Sequence, residues 1–223
     1  MLKKILLSVV CYSLFLLSGC AQNEPMPVII NEYPPTTAPI VKPKASILKP
    51  SGIPANVPPE WVPPVSIDNK QQWKGIIIHH SGNYFGDAAH EDKYHKSLGW
   101  DGLGYDFVIN NGVLENGYGK SDGLVEVGYR WRQQLVGAHC RPNPNGSNYW
   151  NEHTIGICLI GNLDESRPTE RQMRSLAELV NFLQKWYNIP SKQIKGHRDI
   201  KPTDCPGRNF SLSDLKSRLA WYK

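Results

Sequence analysis

Three side chains of the sequence are of the types that bind zinc. His79 ends an isoleucine-rich run, His197 follows a glycine near the C-terminus, and Cys205 lies eight residues further on. Zn²⁺ takes imidazole and thiolate ligands in tetrahedral sites, and a catalytic site leaves one of the four positions open. Two histidines and one cysteine are therefore typical of a catalytic zinc site, although a lone histidine or cysteine is more often structural.

The residues around these candidates form five short motifs in a fixed order. The motifs occupy residues 76–81 (IIIHHS), 99–107 (GWDGLGYDF), 137–139 (GAH), 154–157 (TIGI), and 196–199 (GHRD) with 205–207 (CPG). Together they resemble the type 2 N-acetylmuramoyl-L-alanine amidases, a family that includes the peptidoglycan recognition proteins and a phage-lysozyme-type amidase. The resemblance runs from about Trp73 to the C-terminus. It implies a zinc hydrolase that cuts peptidoglycan between the lactyl group of N-acetylmuramic acid and L-alanine.

The resemblance also implies a role for individual residues. His79, His197 and Cys205 match the zinc ligands of the family, and Tyr105 matches its catalytic tyrosine. A phenol beside the scissile carbonyl can stabilise an oxyanion. Thr203 matches a position that is lysine in the phage type and threonine in active recognition proteins. Its hydroxyl is expected to bond the zinc water or the oxyanion, with a local turn bond to the backbone as the alternative.

Three further residues are weaker candidates for binding substrate. Strand alternation points His80 to the face opposite His79, so packing is its alternative role. His139 is predicted to line the groove or to support the residues that do. Arg132 lies in a predicted extra loop over residues 120–133, where an arginine can meet a peptide-stem carboxylate or remain solvated.

Two cysteines of the domain have no role in this scheme. Cys158 occupies the position where the related cytosolic anhydromuropeptide amidases carry a glutamate base, so no carboxylate base is evident. An exported protein can form a disulfide with Cys140, but the apolar run around Cys158 favours a buried thiol.

The first 20 residues have the features of an export signal. Two lysines precede the apolar segment 5–17, which is too short to span a membrane comfortably and ends at Ser18-Gly19-Cys20. Small residues before a cysteine resemble the lipobox of bacterial lipoproteins, which implies a lipid on Cys20. The alternatives are an ordinary signal peptide or an uncleaved anchor. Because Ala21 follows the cysteine, we expect an outer-membrane lipoprotein of the cell envelope that faces the periplasm; the alternative is a secreted or surface-exposed protein.

A proline-rich segment separates this signal from the motifs. Residues 25–64 contain 12 of the 18 prolines, which favours extended polyproline II and excludes a packed core. We divide the chain into a signal peptide (1–19), a lipidated Cys20 with a linker (20–66) and one zinc amidase domain (67–223). A ligand for a proline-binding module is the alternative reading of the linker, and Trp61 is expected to pack on the domain edge.

Strand and helix patterns are mixed along the domain. Strands are predicted over residues 74–79, 135–138, 154–160 and 193–196, with a hairpin over 104–109 and 113–115 that turns at Asn110, Asn111 and Gly112. Helices are predicted over residues 87–98, from a capping box at Thr169 to residue 186, and after Ser211. These patterns predict one α/β domain, and the resemblance implies a central mixed β-sheet flanked by helices.

Composition excludes several other classes of protein. The 223 residues are 40% hydrophobic and 20% charged, as in globular proteins, so the chain as a whole is not disordered. The net charge of +5 is not concentrated in a basic stripe, so we expect no nucleic-acid partner. The expected partners are peptidoglycan or muropeptides, and a membrane through Cys20. Three rival functions stay open: a binding module without catalysis, a cysteine hydrolase with Cys205 as nucleophile, and a structural lipoprotein.

Overall fold

The structure is a computed structural model that describes residues 57–64 and 73–222. Within these residues the strands are β1 (Gly75–His80), β2 (Phe107–Ile109), β3 (Val113–Leu114), β4 (Gly117–Tyr118), β5 (Val125–Val127), β6 (Thr154–Leu159) and β7 (Ile194–Gly196). The α-helices are α1 (Ala88–Ser97), α2 (Tyr129–Gln133), α3 (Tyr149–His153), α4 (Glu170–Tyr187) and α5 (Leu212–Leu219). The predicted signal peptide, Cys20 and most of the predicted linker lie outside the described residues. None of the described helices combines the length and apolar character needed to cross a bilayer.

Five strands form a central mixed sheet in the order β5-β2-β6-β1-β7. β1 runs parallel to both β6 and β7, β2 runs parallel to β6, and β5 is antiparallel to β2. β1 lies inside the sheet between β6 and β7, and its isoleucines are buried on both faces, as is usual for a parallel strand covered on both sides. The predicted α/β class and mixed sheet are confirmed.

One face of the sheet holds the main hydrophobic core. Ile76 and Ile78 of β1 pack in the same cluster as the leucines of α4, which is where the predicted amphipathic helix forms. The predicted capping box starts this helix: Gln172 N–H donates to Thr169 Oγ1 at 3.0 Å, and Thr169 N–H donates to Gln172 Oε1 at 3.1 Å. α5 packs against α4 and closes this layer.

The hydrophobic cluster on the opposite face of the sheet is smaller than the main core, and this face also carries polar side chains. Strand alternation turns His79 of β1 and its register partner Cys158 of β6 to this face. α1 lies near it and begins at Asp87, whose Oδ1 accepts from His90 N–H at 2.7 Å. The residues that α1 buries include Glu91 and His95.

The predicted hairpin is wrong. β2 pairs with β5, with Phe107 opposite Val127, whereas β3 pairs with β4 in a separate two-stranded sheet. At the predicted turn, Gly123 N–H donates to Asn110 O at 2.8 Å. The strand beside β2 is therefore β5, which follows Gly123, and not β3. The glycine and asparagines signal a reversal of the chain, but they do not specify which strand pairs next.

Two other segments also differ from their predictions. Residues 120–133 are not a plain loop, because they contain β5 and α2 and because Trp131 is fully buried. Residues 135–138 do not form a strand; they are held by single backbone bonds, from Gly137 N–H to Asn151 O and from Ala138 N–H to Gly104 O.

Trp61 joins the end of the proline-rich segment to the domain. Its side chain is 6% exposed and packs 6.2 Å from the Phe182 ring, measured between centroids. Its carbonyl accepts a hydrogen bond of 3.1 Å from the indole N–H of Trp131. Part of the segment assigned to the linker therefore packs on the domain.

Candidate metal centre

Parallel pairing brings the two candidate histidines together. His79 lies near the carboxyl end of β1, and His197 directly follows the carboxyl end of β7. The register sets Ile78 opposite Gly196, so the next residue of each strand lies at the same edge of the sheet. The two imidazole centroids are 4.6 Å apart.

The loop after β7 returns Cys205 to the same place. Arg198 N–H donates to Cys205 O at 2.7 Å, and the Arg198 guanidinium donates to Gly207 O at 2.7 Å. These two bonds join the start of the loop to its end. Cys205 Sγ lies 3.6 Å from Nδ1 of His79. One donor atom each from His79, His197 and Cys205 lies within 4.8 Å of the other two.

This donor set fits a zinc ion. Imidazole nitrogen and thiolate sulfur are the ligands that zinc prefers. Nε2 of His197 is buried yet has no hydrogen-bond partner in the part of the chain that the structure describes. A buried polar atom without a partner costs free energy, which a ligand at this place would offset.

Burial sets the protonation of the three residues. It lowers the pKa of His79 well below the ordinary value of 6.5 and that of His197 to about 4, so both rings are neutral at neutral pH. Burial also raises the pKa of the Cys205 thiol to about 12. A metal that binds here must displace the thiol proton, as is general for thiolate ligands.

Tyr105 and Thr203 both lie beside this cluster. The Tyr105 ring centroid is 5.2 Å from that of His79, and burial raises the pKa of its phenol well above 10. The phenol is therefore a hydrogen-bond donor at neutral pH. Thr203 is exposed, and its Oγ1 accepts the N–H of Cys205 at 3.3 Å, which is the turn bond considered as its alternative role.

The three weaker candidates have different surroundings. Nδ1 of His80 accepts the N–H of Leu163 at 3.1 Å, so this side chain is used in a local hydrogen bond. Arg132 is exposed, and its Nε donates to Val127 O at 3.2 Å. Among the described residues no hydrogen bond links Arg132 to the cluster. His139 does contact it, because its Nδ1 lies 3.0 Å from Nε2 of His79; it is only 3% exposed.

His95 also lies beside Tyr105, although no apolar pattern in the sequence pointed to it. Its ring stacks on Trp100 with centroids 4.5 Å apart and lies 5.3 Å from Tyr105, and its Nδ1 accepts Gly104 N–H at 3.1 Å. Apolar periodicity gave no sign of it, because α1 buries Glu91 and His95 rather than leucines. The four-residue spacing of these two polar residues was the available signal.

Cys140 and Cys158 are both buried free thiols, and the described residues contain no disulfide between them. Cys140 Sγ lies 3.2 Å from Nδ1 of His139. Its donor atom forms a second close group with those of His79 and His139. The two groups share His79.

Comparison with known proteins gives relatives that cover most of the domain. The chain is 30% identical over 182 residues to peptidoglycan-recognition protein SC2 of Drosophila melanogaster, an alignment that covers 70% of this chain and 88% of that protein. It is 31% identical over 119 residues to the endolysin of Enterobacteria phage K11, covering 51% of this chain and 65% of that protein.

A solved structure and a protein family agree with these relatives. The N-acetylmuramoyl-L-alanine amidase LysC from Clostridium intestinale URNW is 30% identical, with a TM-score of 0.56 over 68% of this chain and 88% of that one. The family described as N-acetylmuramoyl-L-alanine amidase matches residues 69–208, a range that contains His79, His197 and Cys205. This chain belongs to the N-acetylmuramoyl-L-alanine amidase family.

Proposed function

We propose that this amidase is zinc dependent and hydrolyses peptidoglycan between the lactyl group of N-acetylmuramic acid and L-alanine. The observation that carries the proposal is the convergence of donor atoms from His79, His197 and Cys205 within 4.8 Å. Zinc, when bound, supplies a Lewis acid and lowers the pKa of a water ligand towards about 7. Three protein ligands leave the fourth tetrahedral position open, as catalysis requires.

Each ligand residue has a defined part in holding the ion. His79 and His197 present neutral imidazoles, since burial keeps both pKa values low. Cys205 gives up its thiol proton on binding and supplies the only negative charge of the three ligands. The net charge of the loaded site is then positive, which favours a developing oxyanion.

Tyr105 is the proposed hydrogen-bond donor to the scissile carbonyl oxygen. Its phenol keeps its proton at neutral pH because burial raises its pKa. A donor held in place before the reaction stabilises the negative charge that develops on that oxygen. Thr203 is the second proposed donor: its oxygen already accepts the Cys205 N–H, so its hydroxyl hydrogen is left for the substrate or the attacking water.

A cysteine hydrolase is the chemical rival, and the surroundings of Cys205 speak against it. The thiolate is the nucleophilic form of cysteine, and reactive cysteines have a lowered pKa. Burial instead raises the pKa of Cys205 to about 12. A cysteine nucleophile needs one histidine beside it as a base, whereas donor atoms of two histidines lie within 4.8 Å of Cys205 Sγ, which favours a metal ligand.

We further propose that a lipid on Cys20 anchors the enzyme in the cell envelope, at an outer membrane facing the periplasm. The lipobox-like residues before Cys20 and the proline-rich segment after it support this position. Val57 packs against the core, so the tether between Cys20 and this residue has at most 36 residues. As polyproline II at ~3.1 Å per residue, the tether would reach at most roughly 110 Å.

Digestion of purified muropeptides tests the proposed activity. We expect product masses that correspond to cleavage of the lactyl–L-alanine bond. We also expect loss of activity with a chelator and recovery of activity with added zinc. Binding without cleavage by the zinc-loaded protein would instead indicate a recognition module. Cleavage that survives complete removal of metal would favour the cysteine hydrolase.

The anchor is tested separately by expressing the full chain and Cys20→Ala. We expect acyl chains on Cys20 in the mass spectrum of the mature protein, and release of the variant from the membrane fraction. An unmodified Cys20 with the protein still in the membrane fraction would refute the lipid anchor and leave the amidase proposal intact.

A further inference from the structure

We propose that His139 is a positioning residue that determines which ring nitrogen of His79 is free to bind the metal. This inference rests on the proposed zinc site. It concerns a buried pair of histidines beneath that site, joined by a contact of 3.0 Å between Nε2 of His79 and Nδ1 of His139.

The carbonyl of Thr154 fixes the hydrogen on His139. Nε2 of His139 lies 3.1 Å from Thr154 O. A carbonyl oxygen can only accept, so Nε2 of His139 must carry the hydrogen. In a neutral imidazole the other nitrogen then has a lone pair, so Nδ1 of His139 is an acceptor.

The position of the hydrogen on His139 also determines the position of the hydrogen on His79. Because Nδ1 of His139 accepts, Nε2 of His79 must donate to it. Nδ1 of His79 therefore has the lone pair, and this is the atom that lies 3.6 Å from Cys205 Sγ. A ring nitrogen needs its lone pair to bind a metal, and ligand histidines characteristically donate their other N–H to a supporting acceptor.

The surroundings of His139 hold its ring in this position. A Cβ atom at Gly156 would lie 2.6 Å from Cγ of His139, and one at Gly137 would lie 2.6 Å from its Cδ2. Both positions are glycine, so the ring can lie against the sheet. Asn151 holds the backbone, since its Oδ1 accepts His139 N–H at 3.0 Å and Cys140 N–H at 2.8 Å.

Cys140 is a competitor for the same lone pair. Its Sγ lies 3.2 Å from Nδ1 of His139, but a thiol is a weaker donor than an imidazole N–H. An alternative use of this group is a second metal ion bound by His79, His139 and Cys140. Hydrogen bonding is favoured, because 3.0 Å is an ordinary length for a direct bond between the two imidazoles.

Imidazole ¹⁵N NMR of the full chain without metal tests the order of hydrogens directly. We expect Nε2 to carry the hydrogen in both His79 and His139. His139→Leu removes the acceptor and should allow His79 to populate the form with hydrogen on Nδ1. A wild-type His79 with its hydrogen on Nδ1 would overturn the inference, whatever the result for activity.

Zinc affinity provides the second measurement. His139→Leu should raise the zinc Kd by about 10–100-fold, the usual effect of losing a residue that supports a metal ligand. His139→Asn places an amide oxygen near the position of Nδ1 and should recover most of that loss. An unchanged Kd in folded His139→Leu overturns the inference.

Metal stoichiometry separates this inference from the function on which it rests. One zinc per chain is expected in both wild type and His139→Leu. Two in the wild type and one in the variant would establish the second metal site in place of the supporting bond. Failure of the proposed function is a different result: wild type would bind no zinc and cleave no muropeptide.

Discussion

Nδ1 of His79 lies 3.6 Å from Sγ of Cys205, although 126 positions of the chain separate the two residues. Parallel pairing of β1 with β7 creates this contact, because it sets the ends of both strands and the loop after β7 at one edge of the sheet. The site therefore depends on long-range pairing, and each of its residues can be tested without removing a secondary-structure element.

Replacing Cys205 should abolish zinc binding and activity together. Cys205→Ala leaves two histidines, and we expect a zinc Kd weakened by more than about 100-fold, beyond the usual effect of a supporting residue. Cys205→Asp keeps an anionic zinc ligand and should retain part of the affinity. Titration against a chromophoric chelator measures both variants. Wild-type affinity in Cys205→Ala would exclude Cys205 as a ligand.

Replacing Tyr105 should separate metal binding from activity. Tyr105→Phe removes only the phenol oxygen, so kcat should fall about 10²–10³-fold, as when an oxyanion-hole donor is lost. Zinc content should not change. Tyr187→Phe is the matched control, because Tyr187 packs in the main core on the other face of the sheet. Equal activities of the two variants would show that Tyr105 is not a donor in the reaction.

Acid should destabilise the metal-free protein through His95. Burial lowers the pKa of His95 from 6.5 to about 4, so between these values the unfolded chain binds a proton that the folded chain does not. This contribution to the free energy of unfolding is complete above pH 6.5 and is lost as the pH falls towards 4. The shift corresponds to roughly 3 kcal/mol.

Urea unfolding of the metal-free protein at several pH values measures this effect. The midpoint should decrease from pH 6.5 towards pH 4, and His95→Gln should show a weaker decrease because its side chain does not titrate. The same pH dependence in both proteins would assign the acid sensitivity to other groups.

Removing the Trp61 side chain should destabilise the domain without changing its chemistry. Trp61→Ala deletes a side chain that is 6% exposed and should cost about 3–5 kcal/mol of unfolding free energy. Trp221→Ala, which alters an 88% exposed side chain, is the control and should have little effect. Loss of zinc affinity in folded Trp61→Ala would indicate an unexpected link between the linker and the site.

Sequence patterns predicted elements whose signals are local. The isoleucine run predicted β1, and the Thr169 capping box with its leucine spacing predicted α4, because side-chain periodicity and cap chemistry involve neighbouring residues. The hairpin at Asn110 was wrong because the partner of β2 is β5, and this pairing depends on tertiary contacts. A turn signal contains no information about them.

The sequence predicted which residues would be candidate ligands, but it did not predict their geometry. Motif resemblance brought His79, His197 and Cys205 together, and the structure sets their donor atoms within 4.8 Å. Nothing local relates His139 to His79, which is 60 positions away, so their hydrogen bond could not be predicted. His95 was missed since a buried polar helix face has no apolar pattern.

Anomalous diffraction at the zinc edge, from crystals of the zinc-loaded protein, tests the central claim most directly. We predict one anomalous peak, which marks a zinc ion bound by His79, His197 and Cys205, with Zn–N distances of about 2.0–2.1 Å and a Zn–S distance of about 2.3 Å. A protein that cleaves muropeptides while showing no anomalous peak between these three side chains would contradict the account.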